Sequence, residues 1–152
     1  MADLVAFDPG KTTGLAVLSF SDTTLPSLRA HDQLDVEQFF TALQLVASWT
    51  TPVTVVCEDF TLRRGRPMSS DQTLPMYLIG ALQYVAYHNR SITLVMQTPA
   101  AAKQGVTDEH LENLGLLQTP KTKWDHANDA LRHAVQYLKS IKHMPTLEGG
   151  FK

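Results

Sequence analysis

The chain has 152 residues, a length that fits one domain and leaves no room for two of ordinary size. Hydrophobic residues make up 43% of it and charged residues 18%, so we expect a packed core rather than a disordered chain. The single cysteine, Cys57, excludes an intramolecular disulfide and any zinc site built on paired cysteines, and it indicates a reducing compartment.

The N-terminal sequence and the apolar runs together predict a cytoplasmic protein. The first ten residues, MADLVAFDPG, lack the basic region and the apolar stretch of a signal peptide. The longest near-apolar run, residues 76–87, is well short of the ~20 residues that span a bilayer, so we expect no membrane association.

The formal net charge is −2, which argues against a protein that binds nucleic acid over its whole surface. Residues 60–103, however, contain five bases and a single acid, whereas residues 1–59 contain two bases and eight acids. This distribution permits a basic face beside an acidic site, although solvated charge runs have the same composition. Three of the bases, Arg63, Arg64 and Arg66, fall in a polar loop, where they either bind phosphates or remain solvated.

In chain order, the pattern predicts strands at residues 3–8, 14–20 and 28–34, a helix at 35–49, a strand at 53–58, a helix at 75–87, a strand at 92–97, a short helix or turn from Pro99, and helices at 108–114 and 125–141. Three residues, Asp35, Thr107 and Asp125, have side chains that can cap the starts of these helices. Three early strands followed by alternating helices and strands indicate an α/β fold with a mixed sheet covered on both faces. We expect one domain over residues 1–142 and a C-terminal tail over 143–152.

The helix predicted over residues 75–87 is apolar on two faces. Pro75 falls near its first turn, where a missing N–H costs little. One stripe holds Leu78, Leu82 and Val85, and the other holds Tyr77, Gly80, Tyr84 and Tyr87. Because both stripes need cover, we expect one to meet the sheet and the other to meet either a partner subunit or the interior of the monomer.

Two apolar strands each end in a carboxylate. Asp8 follows Val-Ala-Phe and precedes a turn, and Glu58 follows Val-Thr-Val-Val-Cys. A carboxylate in an apolar strand is costly to bury unless a positive charge pairs with it. The two acids therefore suggest a shared cation, although each alone could sit at a strand end and meet water or Lys11. Lys11 in turn either neutralises Asp8 or approaches a phosphate there.

A third group of candidate ligands opens the last helix. By their spacing, Asp125, His126 and Asp129 lie on one side of its first turns. Asp125 is explained as the N-cap, whereas Asp129 lies among alanines without such a role. Oxygen-rich ligands with one histidine suit Mg²⁺ or Mn²⁺, and four of them can hold two ions roughly 4 Å apart for phosphodiester cleavage. This geometry requires the start of the helix to overhang the strand ends.

In these three places the sequence resembles the RuvC-type Holliday junction resolvases of the RNase H-like nuclease superfamily. The matching features are Asp-Pro-Gly-x-x-x-Gly after the first strand, Glu at the end of the fourth, and His-x-x-Asp opening an Ala-rich last helix. The resemblance implies an RNase H-like fold, a five-stranded mixed sheet flanked by helices on both faces. It also implies that Asp8, Glu58, His126 and Asp129 are the metal-binding catalytic residues, with two Mg²⁺ or Mn²⁺ ions per site. The family usually has Asp at the position of His126, although some members carry His, and so small a chain would suit a bacteriophage member.

The resemblance also assigns roles to residues outside the metal site. Lys103 matches a base that stabilises charge on the scissile phosphate, and Lys121 or Lys123 would substitute for a second family lysine. Phe60 is offset by one residue from a family aromatic that contacts bases near the crossover, and its alternative role is to anchor its loop on the core. Residues 75–88 correspond to the helix through which the family forms homodimers.

The activity that the resemblance implies is that of a divalent-metal-dependent DNA endonuclease. Such an enzyme resolves four-way junctions by paired symmetric nicks that leave 5′-phosphate and 3′-hydroxyl ends. The alternatives are a broader structure-selective nuclease acting on flaps, forks and other branched DNA, a sugar-kinase or actin-like phosphate binder, and a catalytically inactive DNA-binding relative. The phosphate binder would need a second lobe, for which 152 residues leave no room.

The remaining histidines and the cysteine are not part of any predicted site. His31, His88, His110, His133 and His143 form no pattern, so we expect them at the surface or hydrogen-bonded in the core. Cys57 lies within a predicted strand, and we expect it only to pack.

Overall fold

A computed structural model of the chain describes residues 1–60, 70–119 and 125–152. Its strands are β1 (Ala2–Asp8), β2 (Thr13–Ser21), β3 (Thr24–Leu34), β4 (Val53–Glu58) and β5 (Ile92–Gln97). Its helices are α1 (Val36–Ala47), α2 (Ser70–His88), α3 (Pro99–Gly105), α4 (Asp108–Asn113), α5 (His126–Ser140) and α6 (Met144–Gly150). Five predicted DNA-binding residues lie outside the described ranges: Arg63, Arg64, Arg66, Lys121 and Lys123.

The sheet has the strand order β3-β2-β1-β4-β5. β1 pairs antiparallel with β2, and β2 with β3, whereas β4 runs parallel to both β1 and β5. Phe7 pairs with Cys57, so Asp8 and Glu58, each the next residue, leave the sheet at the same edge. Gln97 pairs with Glu58 in the neighbouring strand. Three polar residues that end β1, β4 and β5 therefore lie side by side.

Alternation along β1 divides the core between the two faces of the sheet. Leu4 and Ala6 pack with α5, whereas Val5 and Phe7 pack with α1 and α2. The residues that α5 buries include an apolar stripe of Ala127, Ala130, Leu131, Ala134 and Leu138. The predicted α/β fold, a five-stranded mixed sheet with helices on both faces, is confirmed.

Three polar side chains begin helices where the sequence predicts. Asp35 accepts a hydrogen bond from the backbone N–H of Gln38 (2.9 Å), and Asp125 accepts one from that of Asn128 (3.1 Å). Thr107 caps α4 in the same way. Each cap satisfies a backbone N–H that has no partner within its helix, an interaction that stabilises a helix by roughly 1 kcal/mol.

The longest helix, α2, begins earlier than predicted, at Ser70, and Pro75 lies inside it rather than in its first turn. A proline inside a helix removes a backbone hydrogen bond and normally destabilises the helix by about 3 kcal/mol or more. Pro75 is buried together with Leu78 and Leu82, and this apolar burial opposes the cost. No helix in the described part of the chain is long and apolar enough to cross a membrane.

The segment 143–152, which we expected to be a tail, contains α6. His143 precedes this helix and is buried, with Nε2 2.8 Å from the carbonyl oxygen of Ser21 and Nδ1 2.7 Å from the hydroxyl oxygen of Thr146. Gly150 is also buried, with side-chain atoms of Leu114 beside its Cα. The segment therefore packs against the rest of the fold. A helix of seven residues is too short for hydrophobic periodicity to reveal it.

Candidate active site

The carboxylates that end β1 and β4 bring negative charge to a region with little solvent. Asp8 is 6% exposed, and the side chain of Glu58 is 19% exposed. Burial raises the pKa of Asp8; a hydrogen bond from His126 opposes this rise, and the charges of Glu58 and Asp129 add to it. Glu58 and Asp129 therefore both lie within electrostatic range of Asp8, and a cation beside Asp8 is favoured.

The start of α5 lies directly over these strand ends. Gly14 pairs with Asp8 across β1 and β2. A Cβ atom added at Gly14 would lie 1.8 Å from the carbonyl oxygen of His126 and 2.9 Å from the backbone nitrogen of Ala127. The absence of a side chain at Gly14 is what allows the helix to approach so closely. The overhang that the metal-site prediction required is present.

His126 contacts Asp8 directly. Its Nδ1 lies 2.9 Å from Oδ2 of Asp8, and its side chain is 35% exposed. The hydrogen bond with Asp8 is the main cause that raises the pKa of His126, and burial partly opposes it. When it is protonated, the ring compensates part of the negative charge of Asp8.

Asp129 lies one turn further along α5 and pairs with two bases. Its Oδ1 accepts a hydrogen bond of 2.6 Å from Arg132, and its Oδ2 lies 3.6 Å from Nζ of Lys103. Arg132 also bonds the carboxylate of Asp108. Lys103, predicted from the family resemblance, is therefore close to the candidate site. Arg132 was not predicted, although its position three residues after Asp129 on a helix is a usable signal for an ion pair.

Glu58 pairs with His133, a histidine for which the sequence pattern predicts no role in a site. Nε2 of His133 lies 2.8 Å from Oε2 of Glu58, and Nδ1 lies 2.9 Å from Oε1 of Gln97. His133 is fully buried, as expected for a hydrogen-bonded core histidine. Its contact with Glu58 was missed. The signal was its position on α5, four residues after Asp129 and seven after His126.

Asp125 is engaged as a helix cap. Its Oδ1 accepts from the backbone N–H of Asn128 (3.1 Å), and its Oδ2 accepts from the side-chain amide of the same residue (2.6 Å). Asn128 also donates to the carbonyl oxygen of Gln118 and bonds His31 of β3. This network supports the interpretation of Asp125 as an N-cap.

Three other predicted residues have distinct surroundings. Phe60 is half-buried and packs against the core on the α1 and α2 side, which fits its alternative role as a loop anchor. Lys11 is exposed in the turn between β1 and β2. Cys57 is fully buried, and burial, with the charges of Asp8 and Glu58, raises the pKa of its thiol, so it packs as an inert side chain.

The candidate ligands do not form a preassembled metal centre. Among the residues that the structure describes, no group of three or more His, Cys, Asp and Glu side chains is arranged to hold a metal ion. Each carboxylate instead meets a cation or a histidine of its own, as described above. The donor set nevertheless fits a hard cation, because oxygen ligands suit Mg²⁺ or Mn²⁺. Burial raises the pKa of Asp8, and the charges of Glu58 and Asp129 add to the rise, so a cation beside Asp8 would relieve both.

Neither a protein-family model nor a curated protein sequence matches this chain. Its structure is similar to solved structures of Holliday junction resolvases. The RuvC of Thermus thermophilus in complex with a Holliday junction substrate is 18% identical, with a TM-score of 0.71 over 94% of this chain and 97% of that one. A second structure of T. thermophilus RuvC is 17% identical, with a TM-score of 0.63 over 93% of this chain and 97% of that one.

A third similar structure is the yeast mitochondrial Holliday junction resolvase Ydc2. It is 12% identical, with a TM-score of 0.62 over 99% of this chain and 85% of that one. At such identities the likeness concerns the fold. The resemblance seen in the sequence is therefore confirmed at that level: over nearly its whole length this chain has the RNase H-like fold of the RuvC-type resolvases.

Proposed function

We propose that this chain is a DNA endonuclease that resolves four-way (Holliday) junctions by paired symmetric nicks. The observation on which the proposal depends is that Asp8, Glu58 and the first turn of α5 meet at one edge of the sheet. In the similar T. thermophilus structure, RuvC is bound to a Holliday junction substrate. The carboxylates of Asp8 and Glu58 are suited to phosphodiester chemistry. The similarity in fold to these resolvases is our reason for proposing a four-way junction as the substrate.

Asp8, Glu58, His126 and Asp129 would hold the divalent cations, Mg²⁺ or Mn²⁺. Two such ions, when bound, lower the pKa of an attacking water and neutralise charge on the phosphate. The residues themselves supply the negative charge that attracts the cations. Asp8 would exchange its contact with His126 for a contact with a cation. Asp129 would likewise exchange its contacts with Arg132 and Lys103 for a contact with a cation.

The bases beside Asp129 would then become available to the DNA backbone. The side chain of Lys103 is 57% exposed, so a phosphate can reach its ammonium group. We assign it the stabilisation of charge on the scissile phosphate, which electrostatic groups of this kind achieve when they are held in place. Lys11, exposed in the turn after Asp8, would contact a neighbouring phosphate. Arg63, Arg64, Arg66, Lys121 and Lys123 remain predicted phosphate contacts, and Phe60 a predicted base contact.

The exposed face of α2 supports a homodimer. Tyr77, Tyr84 and Tyr87 are 72%, 66% and 84% exposed on this face. Gly80 lies between them on the same stripe, and a Cβ added there would meet nothing within 4 Å. Monomeric proteins rarely expose several large aromatic side chains on one helix face. Since paired nicks need two active sites related by a two-fold axis, the residues 75–88 would form the interface.

The test is cleavage of a synthetic four-way junction with Mg²⁺ and with Mn²⁺, beside a panel of flaps, forks and linear duplexes. We expect paired nicks at symmetric positions on the junction, with 5′-phosphate and 3′-hydroxyl ends. The Asp8→Asn variant should bind the junction and fail to cut it. Equal cleavage of flaps and forks would favour the broader structure-selective nuclease, and binding without cleavage by the unmodified chain would indicate an inactive relative.

A further inference from the structure

One carboxylate oxygen of Glu58 is held from the core by His133, whose ring is in turn held by Gln97. His133 of α5 lies between Glu58 and Gln97, with its two ring nitrogens 2.8 Å and 2.9 Å from their side-chain oxygens. Glu58 and Gln97 are direct neighbours in the register of β4 and β5. We call these three side chains the His133 bridge. Through it, the ring of a helix residue connects the last residues of two adjacent strands.

The apolar residues around His133 indicate that its ring has a role beyond packing in the core. It lies on the buried side of α5, where Ala130 and Ala134 are also fully buried. A polar ring in such a place is costly unless its nitrogens are hydrogen-bonded, and an aromatic hydrocarbon would fill the volume without that requirement. Both of its partners lie at the edge that carries the candidate site, so the ring acts on that edge rather than on the middle of the core.

The bridge also restricts how Glu58 can move. Because an ionised carboxylate can only accept, the Nε2–H of His133 donates to Oε2 of Glu58, and the side-chain amide of Gln97, which faces Nδ1, limits rotation of the ring. Because the ring is fully buried, it can follow a moving carboxylate only if the closely packed side chains around it also move. The Glu58 side chain, 19% exposed, is thus held from the core side and open to solvent on the other.

We propose that His133, held by Gln97, is a positioning residue that fixes the Glu58 carboxylate for a divalent cation. This inference rests on the proposed function, because it takes Glu58 as a ligand. Ligating carboxylates are oriented by hydrogen bonds from outside the metal shell, and loss of such a partner typically weakens metal binding or activity about 10–100-fold. The bridge reduces the reorganisation that Glu58 would need when it binds the cation.

The experiment measures Mn²⁺ and Mg²⁺ affinity of the DNA-free full chain by calorimetry. His133→Phe keeps an aromatic ring and removes both hydrogen bonds, so we expect its affinity to fall about 10–100-fold. His133→Gln retains a donor for Glu58 and should recover most of the loss. His143→Phe is the matched control, since it removes another buried, doubly bonded histidine at the opposite end of β1, and it should leave the affinity unchanged.

Junction cleavage gives a second measurement. If His133 acts through Glu58, the cleavage rate of His133→Phe should rise towards that of the wild type as the metal concentration is increased. A folded His133→Phe chain with wild-type metal affinity would overturn the bridge and leave the proposed function standing. If His133→Phe does not fold, the metal affinity of Gln97→Leu is measured instead. A wild-type metal affinity in Gln97→Leu would likewise overturn the bridge and leave the proposed function standing. A wild-type chain that binds neither metal would overturn the proposed metal site and the bridge together.

Discussion

Gly14 and His126 approach each other so closely that no side chain fits between them: a Cβ atom at Gly14 would lie 1.8 Å from the carbonyl oxygen of His126. Because Gly14 is the cross-strand partner of Asp8, this contact sets the height of α5 above the acidic edge of the sheet. The position of the candidate ligands on α5 therefore depends on a residue that has no side chain of its own.

Gly14→Ala should separate α5 from the strand ends. The atom that the new methyl group meets belongs to the helix backbone, so the start of α5 must shift, and such overpacking typically costs about 1–3 kcal/mol. We expect a measurable fall in the denaturation midpoint and a larger loss of junction cleavage and metal affinity. Gly80→Ala is the control for stability and metal affinity, because a Cβ there meets nothing within 4 Å. Wild-type metal affinity in Gly14→Ala would show that the contact does not determine the site.

Asp8→Asn should abolish cleavage and yet stabilise the metal-free protein at neutral pH. Burial and neighbouring carboxylates raise the pKa of Asp8, so the stability associated with its protonated form is present below its ordinary pKa of 3.8 and is lost as pH rises through the raised value. A neutral amide removes that loss. Thermal denaturation at pH 7 without metal should give a midpoint at or above that of the wild type, whereas cleavage should fall about 10²-fold or more. A lower midpoint would mean that the hydrogen bond with His126 outweighs the burial of charge.

The raised pKa of His126 should produce a loss of stability in the same direction as that of Asp8, at higher pH. Its hydrogen bond with Asp8 raises this pKa, so the stabilisation is complete below the ordinary value of 6.5 and is lost as pH rises through the raised value. In metal-free protein we expect a decline of stability on the alkaline side of pH 6.5 that His126→Asn reduces. Denaturant midpoints between pH 5.5 and 9 measure it. His88→Asn, at an exposed histidine of α2, should leave the decline in place.

Lys103→Gln should lower the cleavage rate without removing metal binding. The ammonium group lies 3.6 Å from Asp129 and is accessible to a phosphate, so its loss should cost about 10²-fold in single-turnover rate, the usual size for one electrostatic contact to developing charge. Arg90→Gln removes an exposed base just before β5, at the end of that strand remote from Gln97. It should have little effect on the rate. Equal effects of the two substitutions would indicate a general contribution of charge to DNA binding.

Tyr84→Glu should weaken the proposed dimer. The side chain is 66% exposed at the centre of the aromatic face of α2, and a charge there opposes association of two such faces. Light scattering should show a monomer at concentrations where the wild type is dimeric, and nicks should become unpaired. Phe40→Glu changes an aromatic of similar character on α1, 43% exposed, and should leave the dimer intact. A monomeric wild-type chain would contradict the proposed interface.

The local pattern of the sequence predicted most of the elements, although not α6 or the start of α2, and it singled out the main candidate residues. Asp8 and Glu58 mark the ends of strands, where the pattern predicts them. The helix starts also lie where the pattern predicts, at Asp35, Thr107 and Asp125. Both kinds of boundary are readable from the sequence because alternation and capping depend on neighbours within a few residues.

The tertiary structure decided the contacts between distant residues. Three contacts at the site join segments that are far apart in the chain. Glu58 pairs with His133, Asp129 pairs with Lys103, and the start of α5 packs against Gly14. Hydrophobic periodicity identifies which side of a helix is buried, but it does not say which strand end that side will meet. That meeting is set by strand order and register, which arise from long-range packing.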